Sequence, residues 1–179
     1  DLSEMIGNVL ITGGTGLLAL NWALAICDKI NVTLGVHNRS LKFSNFKHIN
    51  MNLESVNDLA KLFEKIDADA VIHTAGMTNV EQCEKMKTLA HFVNVTLAEN
   101  VAKACSMTKL SFIHISTDHL FSGENSYINE NEKPNPLNIY GKTKAEAENR
   151  VIEANPKSLI IRTNFFGWGT SYRKSFSDI

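Results

Sequence analysis

The stretch Asn8-Val-Leu-Ile-Thr-Gly-Gly-Thr-Gly-Leu-Leu-Ala19 decides the fold. Its first five residues form an apolar run typical of a buried strand, and the apolar segment after the glycines predicts a helix that reaches about Lys29. Glycine permits a sharp turn and a close approach of the backbone to a pyrophosphate, which the free N–H groups at a helix N-terminus attract. Strand, glycine turn and helix in this order predict a dinucleotide-binding turn rather than a bare connection.

Composition and charge narrow the class of protein. A chain of 179 residues with 44% hydrophobic residues suffices for one domain, and 18 basic against 19 acidic residues predict neither nucleic acid nor a membrane surface as a partner. Three distant cysteines without a CxxC pair argue against disulfides and a zinc site, and the histidines lack metal-ligand spacing, so we expect no metal. The longest apolar stretch is too short to span a bilayer, and we expect a cytoplasmic protein.

Short β-rich runs alternate with helical patterns along the rest of the chain. This alternation predicts an α/β fold of the Rossmann type, a doubly wound parallel sheet with helices on both faces. After the first strand, strands are predicted at residues 31–36, 70–73, 110–115 and 159–162. Helices are predicted after a cap at Ser55, at about 89–104 and at about 140–153, with a long loop at 122–136.

The end of the second strand bears on the choice of dinucleotide. An acidic residue there would bind the ribose 2′-hydroxyl of NAD, but this chain has Asn38-Arg39-Ser40. Arg39 can pair with a 2′-phosphate, and Asn38 and Ser40 can donate to it, so the sequence favours NADP(H). Because Arg39 can equally be a solvated loop cation, NAD(H) stays open.

Tyr140-Gly-Lys-Thr-Lys144 places a tyrosine and a lysine on one face of a helix. The pKa of a free tyrosine is about 10, and an adjacent ammonium would lower it, so Tyr140 is a candidate general acid with Lys144 as its partner. Ser116 and Thr117 follow a predicted strand, at the edge where open α/β sheets bind ligands. Either hydroxyl could bind a carbonyl oxygen beside Tyr140.

Five stretches together resemble the extended short-chain dehydrogenase/reductase family, and within it most closely the dTDP-4-dehydrorhamnose reductases and related sugar-nucleotide reductases. They are residues 12–16, 73–76, 116–123 with Tyr127 and Glu130, 136–144 and 162–167. The resemblance implies reduction of a nucleotide-linked 4-keto-deoxysugar by NAD(P)H. It also implies a catalytic triad of Thr117, Tyr140 and Lys144.

The resemblance extends to binding residues. The expected cofactor-binding residues are Gly13, Thr15, Gly16, Leu17, Asn38, Arg39, Ser40, Asn52, Leu53, His73, Ala75, Gly76, Asn94, Tyr140 and Lys144. The expected substrate-binding residues are Thr78, Asp118, His119 and Asn164. Asn94 resembles the asparagine that supports the lysine through water in this family, although an exposed helix asparagine is an equal alternative.

The sequence also departs from the family pattern. His119 stands where the reductases commonly have tyrosine, and the Asp118-His119 pair disfavours the dehydratases, which have Asp-Glu. A sugar-nucleotide epimerase and a non-catalytic NADP-binding regulatory subunit remain alternatives.

The predicted organisation is a dinucleotide-binding domain over residues 1–164, followed at 165–179 by the start of an incomplete C-terminal substrate-binding portion. We therefore expect this chain to bind cofactor without turning over substrate. The resemblance also implies a homodimer through the helices near 89–104 and 140–153.

Overall fold

Six parallel strands form one sheet in this computed structural model, which describes residues 7–37, 46–124 and 127–165. The sheet order is β3-β2-β1-β4-β5-β6, so the direction of winding reverses between β1 and β4. The strands are β1 (Asn8–Thr12), β2 (Asn31–Val36), β3 (Lys47–Asn50), β4 (Ala70–His73), β5 (Ser111–Thr117) and β6 (Leu159–Thr163). The predicted doubly wound Rossmann-type sheet is confirmed.

Helices cover both faces of the sheet. They are α1 (Leu17–Ile26), α2 (Val56–Lys65), α3 (Val80–Lys85), α4 (Lys87–His91), α5 (Leu97–Thr108) and α6 (Ile139–Ala154). A π-helical turn at Phe92–Thr96 joins α4 to α5, and a 3-10 turn at Asp118–Leu120 follows β5. Within the three described ranges, no helix has the length and apolarity needed to cross a bilayer.

The core has two layers because successive side chains of a strand point to opposite faces. Leu10, Val71 and Phe112 pack with α2, α5 and α6 on one face. Ile11 and Ile72 pack with α1 on the other face. Both faces of β1 and β4 are therefore buried, which explains why the centre of each strand is an uninterrupted apolar run.

Three elements end more than one residue away from the predicted boundary. Helix α1 ends at Ile26 rather than near Lys29. Asp28 lies in the turn that follows, because the helix dipole makes an acidic side chain unfavourable in the last turn of a helix. Strand β5 continues through Thr117, so Ser116 and Thr117 belong to the strand rather than to the loop after it. The predicted helix at 89–104 is interrupted by the π-helical turn and ends at Thr108.

Two short elements escaped the sequence analysis. Strand β3 is a four-residue edge strand, Lys-His-Ile-Asn, without an apolar alternation, and it is defined by its pairing with β2. Helix α3 has six residues and is capped by Asn79, whose side chain accepts from the N–H of Gln82. The predicted long loop is confirmed, since residues 122–124 and 127–136 contain no helix or strand. Most of the predicted C-terminal portion, residues 166–179, lies outside the described residues.

Candidate active site at the carboxyl edge of the sheet

The glycine turn approaches its neighbours too closely to carry side chains. Gly13 has φ +69°, and a Cβ there would lie 2.8 Å from the Cα of Ala75. A Cβ on Gly14 would lie 2.8 Å from the Cβ of Leu34. The turn closes where the N–H of Gly16 donates to the carbonyl oxygen of Gly13 at 2.7 Å, and α1 begins at the next residue without a side-chain cap. The helix N-terminus therefore keeps backbone donors for a ligand.

A cleft of about 240 Å³ lies against this turn. Four residues predicted to bind cofactor line it together: Gly13, Thr15, Leu53 and Ala75. Further lining comes from Thr12, Gly14, Gly35, Val36, His37 and Met51. The backbone cradle, the helix N-terminus and the position beside the switch point suit a dinucleotide pyrophosphate.

The remaining predicted cofactor residues have different surroundings. Gly76 is exposed after β4, and Asn52 is exposed with its Oδ1 accepting from the N–H of Glu54. The side chain of His73 is 1% exposed and bonded to Thr12, so it lies beneath the cleft rather than in it. The predicted 2′-phosphate residues Asn38, Arg39 and Ser40 lie outside the described residues.

Thr117 and Tyr140 meet at the carboxyl end of β5. A side-chain hydrogen bond joins Thr117 to the Tyr140 phenol, whereas the buried hydroxyl of Ser116 has no partner among the residues that the structure describes. Thr117 Oγ1 also lies 3.2 Å from Asp118 Oδ1 and accepts from the N–H of His119. Of the two hydroxyls that the sequence left open, the fold brings Thr117 to the tyrosine.

The start of α6 fixes the position of Tyr140. Asn138 caps the helix by accepting from the N–H of Gly141 at 2.8 Å, and Glu84 accepts from the N–H of Ile139 at 2.7 Å. A Cβ on Gly141 would overlap the carbonyl oxygen of His119. Because Gly141 has no side chain, α6 can approach the 3-10 turn closely. The His119 ring packs edge-on against the Tyr140 ring, with 5.5 Å between the ring centroids.

The contacts of Tyr140 favour its protonated form. Burial raises the pKa of Tyr140, the charges of Asp118 and Cys83 act in the same direction, and the hydrogen bond with Thr117 opposes them. The spacing of Tyr140 and Lys144 in the sequence predicts that the Lys144 ammonium lowers this pKa. The side chain of Lys144 instead lies in the core, where its Nζ donates to the carbonyl oxygen of Ile115 at 2.7 Å and lies 3.1 Å from His114 Nε2.

Lys144 is a buried cation. Its residue is 6% exposed, and burial lowers its pKa from 10.5 to about 8, while the charge of Glu148 acts in the opposite direction. Glu148 is itself held by Arg162, whose guanidinium donates to both carboxylate oxygens at 2.8–3.2 Å. The ammonium therefore titrates much closer to neutrality than a surface lysine.

Asn94 joins two parts of the site. It is 1% exposed, so the alternative of an exposed helix asparagine is wrong. Its amide accepts from the N–H of Met77 at 2.7 Å and donates to the carbonyl oxygen of Met77 and to Thr143 Oγ1. The π-helical turn that carries Asn94 thus links the loop after β4 to α6.

A second cleft, of about 580 Å³, opens beside Thr117. Asp118 and His119, two predicted substrate-binding residues, line it together with Phe121, Gly123, Ile128, Asn129, Glu130 and Arg162. Asn164 is exposed directly after β6, and Thr78 is exposed in the loop after β4. The fold therefore brings two of the four predicted substrate residues to this cleft.

Comparison with known proteins identifies the family. The RmlD substrate binding domain family matches residues 7–177. The chain belongs to this family. Its dTDP-4-dehydrorhamnose reductase relative from Salmonella typhimurium is 31% identical over 174 residues, which cover 94% of this chain and 55% of the relative.

Two further proteins are similar to this RmlD-family chain. Methionine adenosyltransferase 2 subunit beta from Bos taurus is 31% identical over 163 residues, covering 86% of this chain and 45% of the relative. The structure of dTDP-4-dehydrorhamnose reductase from Bacillus anthracis in complex with NADP has a TM-score of 0.74 at 27% identity, covering 88% of this chain and 53% of that one. The chain spans about half the length of the curated relatives it matches.

Sequence reasoning missed two features of the site. His114 is not among the predicted site residues, although strand alternation puts it on the same face of the sheet as Phe112, the face that α6 covers. The pair of Glu148 and Arg162 joins a helix residue to a strand residue fourteen positions away, a distance at which no helix or strand periodicity signals contact.

Gly141→Ala tests the close approach of α6. The added methyl group would overlap the backbone at His119, so we expect the free energy of unfolding to fall by about 1–3 kcal/mol despite the better helix propensity of alanine. Urea unfolding measures the change, and Lys142→Ala, at an exposed position of the same helix, is the control. Equal stability of the Gly141→Ala and control proteins would contradict the close approach.

Lys144→Met tests the buried ammonium through the pH dependence of stability. Between pH 8 and 10.5 the unfolded chain holds a proton on Lys144 that the folded chain has released, so stability rises with pH across this window. We expect the wild type to gain about 3 kcal/mol over Lys144→Met from pH 8 to pH 10.5, measured by urea unfolding. Lys142→Met, on the exposed side of α6, should show no such gain.

Proposed function

We propose that this protein reduces a 4-keto group on a nucleotide-linked deoxysugar, with NADPH as the favoured cofactor. The observation that carries this proposal is the meeting of Thr117 and Tyr140 at the end of β5, with Lys144 one helical turn along α6. The relatives named as dTDP-4-dehydrorhamnose reductases support the substrate class. The chain's half-length match makes this a proposal for the whole protein.

Tyr140 is the proton donor in this proposal. Its raised pKa keeps the phenol protonated at neutral pH, ready to give its proton to the carbonyl oxygen when hydride addition to the carbonyl carbon leaves negative charge on that oxygen. Thr117 adds a hydrogen bond to the same oxygen and so stabilises the charge that develops there. Asp118 and His119, in the neighbouring cleft, contact the sugar nucleotide.

The glycine turn is the proposed cofactor-binding element. Gly13, Thr15, Gly16 and Leu17 would hold the pyrophosphate at the N-terminus of α1, with Leu53 and Ala75 along the cleft and Gly76 next to Ala75. When bound, NADPH supplies the hydride that reduces the carbonyl carbon. The ammonium of Lys144 lies in the core one helical turn from Tyr140, in contact with His114 and the carbonyl oxygen of Ile115. Asn94 holds α6 against the loop of Gly76 and Met77.

Calorimetric titration with NADPH and NADH in parallel tests the cofactor. We expect NADPH to bind more tightly, because Arg39 complements a 2′-phosphate and no acidic residue stands in its place. Arg39→Ala should remove most of the preference while leaving NADH affinity nearly unchanged. A folded protein that binds neither dinucleotide would refute the assignment of the glycine turn.

Tyr140→Phe tests the reductase chemistry. Loss of the proton donor should lower kcat with dTDP-4-dehydrorhamnose and NADPH by about 10²–10⁴-fold in the full-length protein, measured by NADPH absorbance. Tyr127→Phe, at a fully exposed tyrosine, is the matched control and should keep its rate. An epimerase would convert its substrate without net consumption of NADPH, and that result would exclude the reductase.

A non-catalytic regulatory subunit is the second candidate. The similarity to methionine adenosyltransferase 2 subunit beta favours it. The contact between Thr117 and Tyr140 and the buried Lys144 at the same sheet edge favour the enzyme. A Tyr140→Phe protein that loses turnover identifies the enzyme, whereas a wild type that binds NADPH and a partner enzyme but reduces no sugar nucleotide identifies the subunit.

A further inference from the structure

A row of buried polar side chains crosses the sheet beneath the proposed site. Thr12, His73 and His114 are neighbours in the register of β1, β4 and β5, and each is at most 1% exposed. Thr12 Oγ1 lies 2.8 Å from His73 Nδ1, and the rings of His73 and His114 stack at 5.6 Å between centroids. The row ends at Lys144, whose Nζ lies 3.1 Å from His114 Nε2.

The contact with Lys144 defines the protonation of His114. An ammonium group can only donate, so Nε2 must accept, and a neutral ring then carries its proton on Nδ1. Within the described ranges, Nδ1 has no hydrogen-bond partner. The bond to Lys144 is therefore the one hydrogen bond that this buried ring makes there, which is an unusual arrangement for a ring that serves packing alone.

The surroundings keep the ring neutral. Burial and the Lys144 ammonium hold the pKa of His114 well below 6.5, and the same two causes lower the pKa of His73 to about 3. The charged groups that bear on the pair are Lys144 and Glu148 from α6, with Arg162 of β6 bound to Glu148. Since Arg162 occupies the carboxylate, His114 Nε2 and the carbonyl oxygen of Ile115 are the acceptors that touch the ammonium.

We infer that His114 is a positioning residue for Lys144: its neutral ring, backed by His73 and Thr12, accepts from the ammonium and holds it in the core one helical turn from Tyr140. The catalytic meaning of this position rests on the proposed function. The hydrogen bond itself does not, because it can be measured without substrate.

Replacing His114 by phenylalanine or by glutamine distinguishes a positioning role from a packing role. A ring kept for its shape can be exchanged for phenylalanine at little cost, because replacing a buried polar group by an apolar one of similar shape is nearly neutral when no partner is left behind. A ring that holds an ammonium cannot, since phenylalanine offers no acceptor. Glutamine places its Oε1 at about the position of Nε2, so it should restore the interaction.

The first measurement is the tautomer of His114 in the full-length wild type. Two-bond ¹H–¹⁵N NMR spectra at pH 7 should show Nε2 unprotonated and the proton on Nδ1. Assignment comes from the signal missing in His114→Gln. A proton on Nε2 would overturn the inference.

The second measurement follows Lys144 itself. The ¹³Cε signal of Lys144, assigned by its loss in Lys144→Met, is titrated in wild type, His114→Phe, His114→Gln and the control His48→Phe, at an exposed position of β3. We expect the midpoint to fall by about one pH unit in His114→Phe, because the charged form loses an acceptor. It should stay near the wild-type value in His114→Gln and His48→Phe, and an unchanged midpoint in His114→Phe would overturn the inference.

Turnover then links the contact to the reaction. With NADPH and dTDP-4-dehydrorhamnose, kcat of His114→Phe should fall about tenfold at pH 8, with its alkaline limb displaced to lower pH, and His114→Gln should recover the rate. A shifted Lys144 midpoint in a protein that reduces no sugar nucleotide would keep the positioning role and refute the reductase. Equal pH profiles of wild type and His114→Phe would refute positioning in an active enzyme.

Discussion

The ammonium of Lys144 lies inside the core, and the free energy of burying an unpaired charge would be prohibitive. The surrounding structure supplies the hydrogen-bond acceptors that water would otherwise provide. A carbonyl oxygen at the end of β5 and a neutral imidazole accept from the ammonium, and the carboxylate of Glu148 lies nearby. The polar row across the sheet ends at this buried cation, and the ion pair between α6 and β6 holds the carboxylate that lies near it.

Missing side chains set the remaining distances. At Gly13 and Gly14 the backbone lies against β2 and the loop after β4, which leaves a cleft beside the N-terminus of α1. At Gly141 the first turn of α6 lies against the 3-10 turn, which brings Tyr140 to Thr117. Helix geometry then carries Lys144 to the same face one turn later.

Two clefts of different character flank the catalytic candidates. The one at the glycine turn is lined by backbone and small side chains, as close approach to a pyrophosphate requires. The charged side chains of Asp118, Glu130 and Arg162 contribute to the lining of the other cleft. Thr117 ends β5 directly before Asp118 and His119, which line the second cleft, and the Tyr140 ring packs against that of His119.

The sequence by itself determined the Rossmann-type order of elements, the glycine turn, and the spacing of Tyr140 and Lys144. These features are local: apolar runs, a glycine's freedom and a four-residue helical repeat are written in neighbouring positions. The tertiary structure decided what depends on strands and helices far apart in the chain. The tertiary structure brings Thr117 rather than Ser116 to Tyr140, and it buries His73. It also places the Lys144 ammonium against His114. Strand register and helix packing determine which side chains share a buried space.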